Sequence, residues 1–115
     1  MTTRSPLLRI DDMLSNIEGV VQTLDGITYE EFTRSWALRS AVERGIEIVS
    51  EASRHLPADL KNQFPQIRWQ DIAGIGNILR HDYQNVASKI IWQVAHNELP
   101  PLKTALLSMQ ASLSD

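Results

Sequence analysis

One stretch of the chain crowds together side chains that could move a proton and hold a negative charge. It runs Trp-Gln-Asp-Ile-Ala-Gly-Ile-Gly-Asn-Ile-Leu-Arg-His-Asp-Tyr, residues 69 to 83. An imidazole titrates near neutral pH, so His81 can act as acid or base there. A guanidinium such as Arg80 can stabilise an oxyanion that develops beside it. Asn77 and His81 are four residues apart, which puts them on one side of a helix, with Arg80 and Asp82 flanking that line. Tyr83 lies two residues further on. Together these groups match the needs of phosphodiester chemistry. A plainer reading stands beside that one: His81 could simply satisfy a polar contact near a helix end.

Those residues need a frame, and the chain supplies helices. Ile72, Gly76, Leu79 and Tyr83 recur at helical spacing, so one side of this central segment faces a core and the other is left for polar work. Upstream, Ser5-Pro6 is an N-cap followed by a first-turn proline. Leu7, Ile10, Leu14, Ile17, Val21 and Leu24 then step by three and four, with Leu8, Met13 and Val20 widening the seam, and Gly26 closes the helix. Thr28 with Glu31 forms a capping box for a second helix that uses Phe32, Trp36, Val42, Ile46, Val49 and Ala52 and stops before Pro57. Residues 57 to 64 read as a short helix or turn. After the central helix comes a break at Gln84-Asn85. A helix on Ile90, Ile91, Val94 and Ala95 follows, then an interruption at Pro100-Pro101. A last helix starts at Pro101 and carries Leu102, Ala105, Leu106, Met109 and Leu113. Nothing alternates at period two, and no repeat or linker divides the chain, so residues 1–115 are expected to form one all-α bundle of four to six helices.

Other polar constellations compete with the central one. Glu43, Glu47 and Glu51 share a helix face, as carboxylate metal sites in bundles require. Those sites also use Glu-x-x-His, which is absent here, and Arg39, Arg44 and Arg54 lie within helical reach of the carboxylates. A salt-bridge ladder is therefore expected rather than a metal. His55 and His96 stand near helix C-termini, where a cation meets the helix dipole. Gly74 and Gly76 inside a helix each cost about 1 kcal/mol relative to alanine, which suggests close backbone approach. No phosphate-binding Gly-x-x-x-x-Gly-Lys loop, His-Glu-x-x-His or Gly-x-Ser-x-Gly is present.

The 115 residues carry 43% hydrophobic and 22% charged side chains, a globular composition, and a net charge of −3. An acidic chain does not grip a long tract of nucleic acid, so any RNA contact should be local. With no cysteine, a disulfide framework and a thiolate zinc site are both excluded. No apolar run reaches membrane-spanning length and the N-terminus has no signal-like apolar segment, so a cytoplasmic protein without membrane contact is expected.

Residues 67 to 83 resemble the central motif of the HepT-like proteins, small all-α members of the HEPN superfamily. Ala41-Val42-Glu43-Arg44 with Glu47-Ile48-Val49-Ser50-Glu51-Ala52 is similar to that family's second-helix block. Ile91-Trp92 followed by Glu98-Leu99-Pro100 is similar to its segment after the motif. The resemblance implies a dimerising helical bundle, a toxin that cleaves RNA without metal or other cofactor, and a small nucleotidyltransferase as antitoxin.

The family signature is Arg-x-x-x-x-His-x-Tyr. Its histidine and tyrosine fall on His81 and Tyr83, and its arginine position falls on Gly76. The resemblance thus makes His81 the proton-transfer group, Asn77 an orienting group and Tyr83 the candidate for adenylylation by the transferase. Arg80 is the guanidinium at hand to replace the one missing at position 76. The same departure supports an alternative, a non-catalytic HEPN-type dimer that serves its transferase partner.

Overall fold

Ser5 opens the first helix as expected. Its side chain accepts a hydrogen bond from the Leu7 amide at 3.2 Å, and Pro6 is the first residue of α1 (Pro6–Leu24). The computed structural model describes residues 5–81 and 85–113. Every regular element among them is helical.

The buried line of α1 is Ile10, Met13, Ile17, Val20 and Leu24. Met13 and Val20 therefore lie at its centre, whereas Leu14 is half-buried and Val21 is 43% exposed. A repeat of three and four can be drawn along two adjacent lines of one helix. Which line is buried depends on the covering helices, here Trp36–Arg54 and Leu99–Leu113. Met13 and Val20 are accordingly covered within the chain, and Leu8 and Val21 stay exposed.

Gly26 takes φ +73°, the left-handed conformation that lets the chain leave α1. The Thr28–Glu31 capping box forms, with the Glu31 amide 3.1 Å from Thr28 Oγ1 and the Thr28 amide 2.9 Å from Glu31 Oε1. The helix it opens is shorter than its periodicity predicts. α2 (Tyr29–Arg34) ends at Ser35, which is extended at φ −106° and ψ 107° and caps α3 (Trp36–Arg54) through the Leu38 amide at 3.1 Å. The break turns Trp36 outward to 75% exposure while Phe32, Val42, Ile46, Val49 and Ala52 stay in the core.

α1 and α3 cross at Gly45, where an added Cβ would stand 2.7 Å from Val20 Cγ2. That contact explains the glycine by close approach of two helices.

α4 (Ala58–Asn62) is one short turn of helix between Pro57 and the next segment. α5 (Trp69–His81) is the helix predicted to carry the chemistry. After α6 (Asn85–Gln93) the chain runs through a π turn, Val94–Glu98, directly into α7 (Leu99–Leu113). The expected interruption at Pro100-Pro101 is therefore absent. The Leu99 amide bonds the Val94 carbonyl five residues back. This widened turn accommodates proline rings that would clash with the preceding turn of a regular helix. Leu102, Ala105, Leu106 and Met109 pack inward as their spacing predicts. No described helix is long and apolar enough to cross a membrane.

Candidate active site

Both ends of the approach to α5 are pinned. Trp69 Nε1 donates to the carbonyls of Lys61 and Phe64 at 3.1 and 3.2 Å, fastening the α4 segment to the first turn. Arg68 pairs with Asp71 at 3.5 Å and with Glu98 at 3.2 Å, tying that turn to the π turn. From there the helix has two distinct sides. Ile72, Ile75, Gly76 and Leu79 are buried, and Asn77 and His81 are exposed. At about 100° per residue, Asn77 and His81 lie about 40° apart and Gly76 lies about 140° from His81.

The inner side is held to α3 by polar contacts as well as apolar ones. Ser50, itself buried, donates its hydroxyl to the Ala73 carbonyl at 3.0 Å and accepts from the Gly76 amide at 3.3 Å. One turn later on α3, Arg54 donates to the same Ala73 carbonyl from Nη2 at 2.9 Å and from Nε at 3.3 Å. Position 76, where the resemblance expects an arginine, is thus part of a helix–helix seam. Gly76 is buried with its amide on Ser50, whereas Gly74 does not meet the expectation of close approach, since an added Cβ there would have nothing within 4 Å.

Of the residues singled out in the sequence, Asn77 and His81 share the exposed face of α5 as predicted. Arg80 is part of the same helix, and its side chain lies outside the described residues, as do Asp82 and Tyr83. The spacing of Arg54 from Glu51 predicts a place in the carboxylate ladder, and the structure sends it to α5 instead. Its target is a backbone carbonyl on another helix, for which a sequence carries no signal.

The ladder itself is a set of local pairs. Arg44 approaches Glu47 at 3.9 Å, and His55 Nε2 meets Glu51 Oε2 at 3.0 Å. Burial raises the pKa of the Glu43 carboxyl; repulsion from Glu47 adds to this and attraction to Arg39 opposes it. Among the described residues no group of three or more His, Asp or Glu side chains is placed to hold a metal ion. His96 donates from Nδ1 to the Trp92 carbonyl at 2.9 Å and its ring packs 4.1 Å from the Trp92 ring. His55 and His96 therefore have local structural partners.

The chain is also similar to known proteins. The family model for "Ribonuclease HepT-like" matches residues 13–109. A Methanocaldococcus jannaschii protein named as a candidate RNase is 31% identical over 103 residues, covering 90% of this chain and 94% of the relative. A Caldanaerobacter subterraneus protein of similar name is 30% identical over 100 residues, 87% of this chain and 89% of its own. A Thermococcus cleftensis protein named as a probable ribonuclease HepT is 31% identical over 94 residues, 82% of this chain and 86% of its own. No solved structure gives a significant match.

Proposed function

Because the chain belongs to the HepT-like ribonuclease family, we propose that it is a metal-independent RNA endonuclease whose reacting groups stand on the exposed face of α5. The observation that carries this reading is the placement of His81 and Asn77 together in solvent on a helix whose other side is fixed in the core. His81 takes the proton from a ribose 2′-hydroxyl, and the 2′-oxygen attacks the adjacent phosphorus. The bond from phosphorus to the 5′-oxygen breaks, the leaving oxygen takes a proton from water that the protonated His81 then restores, and a 2′,3′-cyclic phosphate remains. Arg80 stabilises the charge that builds on the phosphoryl oxygens, and Asn77 orients the phosphate or the imidazole.

The protein acts as the toxin of a pair, as a cytoplasmic homodimer, with a small nucleotidyltransferase as antitoxin. Adenylylation of Tyr83 by that partner puts bulk and negative charge beside His81 and so opposes RNA binding. The dimer rests on the family resemblance; of the side chains that widen the α1 seam, Met13 and Val20 are buried within the chain and Leu8 is exposed.

Gly76 favours a second reading, a HEPN-type dimer without catalysis that serves the transferase. The seam with Ser50 means that position 76 itself offers no phosphate ligand. Purified wild type and His81→Ala, incubated with RNA in EDTA, separate the two. The endonuclease reading expects cleavage by wild type alone; the binding-module reading expects none from either. With the transferase and ATP added, wild type should be adenylylated and Tyr83→Phe should not.

A further inference from the structure

Arg54 is an anchored cation on the edge of the reacting face. Nε and Nη2 each direct a hydrogen to the Ala73 carbonyl. A guanidinium carries five N–H groups in a planar fork, so three donors remain. Among the described residues no carboxylate lies within ion-pair distance of it, and Glu51, one turn earlier, is engaged by His55 at 3.0 Å. The residue is exposed. Ala73 and Asn77 are four apart on α5, so the carbonyl that holds Arg54 belongs to the strip of helix that leads to Asn77 and then to His81. Holding a long side chain in one place removes much of the entropy that a free arginine loses on binding. An exposed arginine fixed this way, with three donors left over, suits the oxygens of a phosphate.

We propose that Arg54 binds a phosphate of the RNA that flanks the scissile one. Ala73 and His81 are eight residues apart, about 12 Å along the helix axis. That separation makes Arg54 a ligand of a neighbouring nucleotide and not of the phosphorus under attack. It gives an acidic chain a local contact with a polyanion and orients the strand along α5 toward His81. This inference rests on the ribonuclease reading.

The test uses an oligoribonucleotide with 2′-O-methyl groups throughout, which cannot be cleaved through the 2′-oxygen, and follows its binding across a salt titration. Loss of one phosphate contact from a single strand should lower the slope of log affinity against log salt by about 0.7. Arg54→Gln should show that decrease together with weaker binding, and Arg44→Gln should keep the wild-type slope. On cleavable RNA, Arg54→Gln should raise KM and leave kcat near wild type, as expected for uniform binding. A mere tie between α3 and α5 would weaken binding without changing the slope, and an unchanged slope overturns the proposal. If Arg54→Gln does not fold, phenylglyoxal modification of the wild type gives the answer: bound oligonucleotide should protect Arg54 and leave Arg44 reactive. Equal modification of Arg54 with and without oligonucleotide would also overturn it. Wild type that binds no RNA at all would remove the ribonuclease reading, whereas binding with an indifferent Arg54 would remove this inference alone.

Discussion

The two sides of α5 are built from the same short segment and obey different rules. The inner side, with Ile72, Ile75, Gly76 and Leu79, is packed and tied to Ser50 on α3. The outer side, with Asn77 and His81, is exposed. Burial on one side fixes the helix and thereby the direction of the groups on the other, which is what a preorganised proton-transfer site needs. The contrast also bears on the motif arginine. Its position belongs to the packed side, so a glycine there costs helix propensity and serves the seam, and in the proposed reaction the guanidinium comes from Arg80 instead.

Substitutions on the two sides should therefore fail differently. The largest effects belong to the proposed reacting groups. Arg80→Ala should lower the cleavage rate by roughly 10²- to 10³-fold, comparable with His81→Ala. His81→Ala should melt within about 0.5 kcal/mol of wild type, as surface changes do. A fully active Arg80→Ala would remove that residue from the reaction and leave the role of His81 standing.

On the inner side the expected loss is of stability. Gly76→Arg introduces a long charged side chain against the Ser50 seam and should cost about 1–3 kcal/mol by overpacking, measured by urea unfolding. A stable Gly76→Arg with faster cleavage would show that position 76 can still reach the phosphate, and the contrast between the sides would then fail.

Two residues earlier the sign should reverse. Gly74→Ala adds a methyl group into open space and should stabilise by about 0.4–1 kcal/mol, chiefly by restricting the unfolded chain. A destabilised Gly74→Ala would mean that the seam extends further along α5.

The smallest effect belongs to α3, which covers the inner side. Burial, with repulsion from Glu47, raises the folded-state pKa of Glu43. The folded protein then holds that proton more tightly than the unfolded chain. Ionising the group costs stability as pH rises from the ordinary glutamate range through the raised pKa. Glu43→Gln should therefore raise the melting temperature slightly at neutral pH and give no gain in acid. Equal shifts at both pH values would contradict the assignment.

Local signals in the sequence were faithful where the structure they specify is local. The Ser5 cap, the Thr28–Glu31 box and the Gly26 exit all form as their residue types require. Ser35 caps α3 inside a stretch whose helical spacing runs on from Phe32 to Ala52, so the periodicity conceals the break. Met13 and Val20 were placed at the margin of α1 because periodicity gives a face and not the helix that will cover it. Pro100 and Pro101 were read as a break, since a π turn has no strong local signature. On α5, the pairing of Asn77 with His81 followed from spacing alone. The inward position of Gly76 and the reach of Arg54 to Ala73 depend on α3, and neither can be read from α5.

The central claim is that the outer face of α5 cleaves RNA through the ribose 2′-hydroxyl without a metal ion. It is tested most directly by incubating wild type in EDTA with an RNA oligonucleotide and with the same oligonucleotide carrying a 2′-deoxyribose at the cleaved position. The account predicts cleavage of the first to a 2′,3′-cyclic phosphate and no cleavage of the second. Equal cleavage of both, or cleavage that requires added magnesium or manganese, would contradict it.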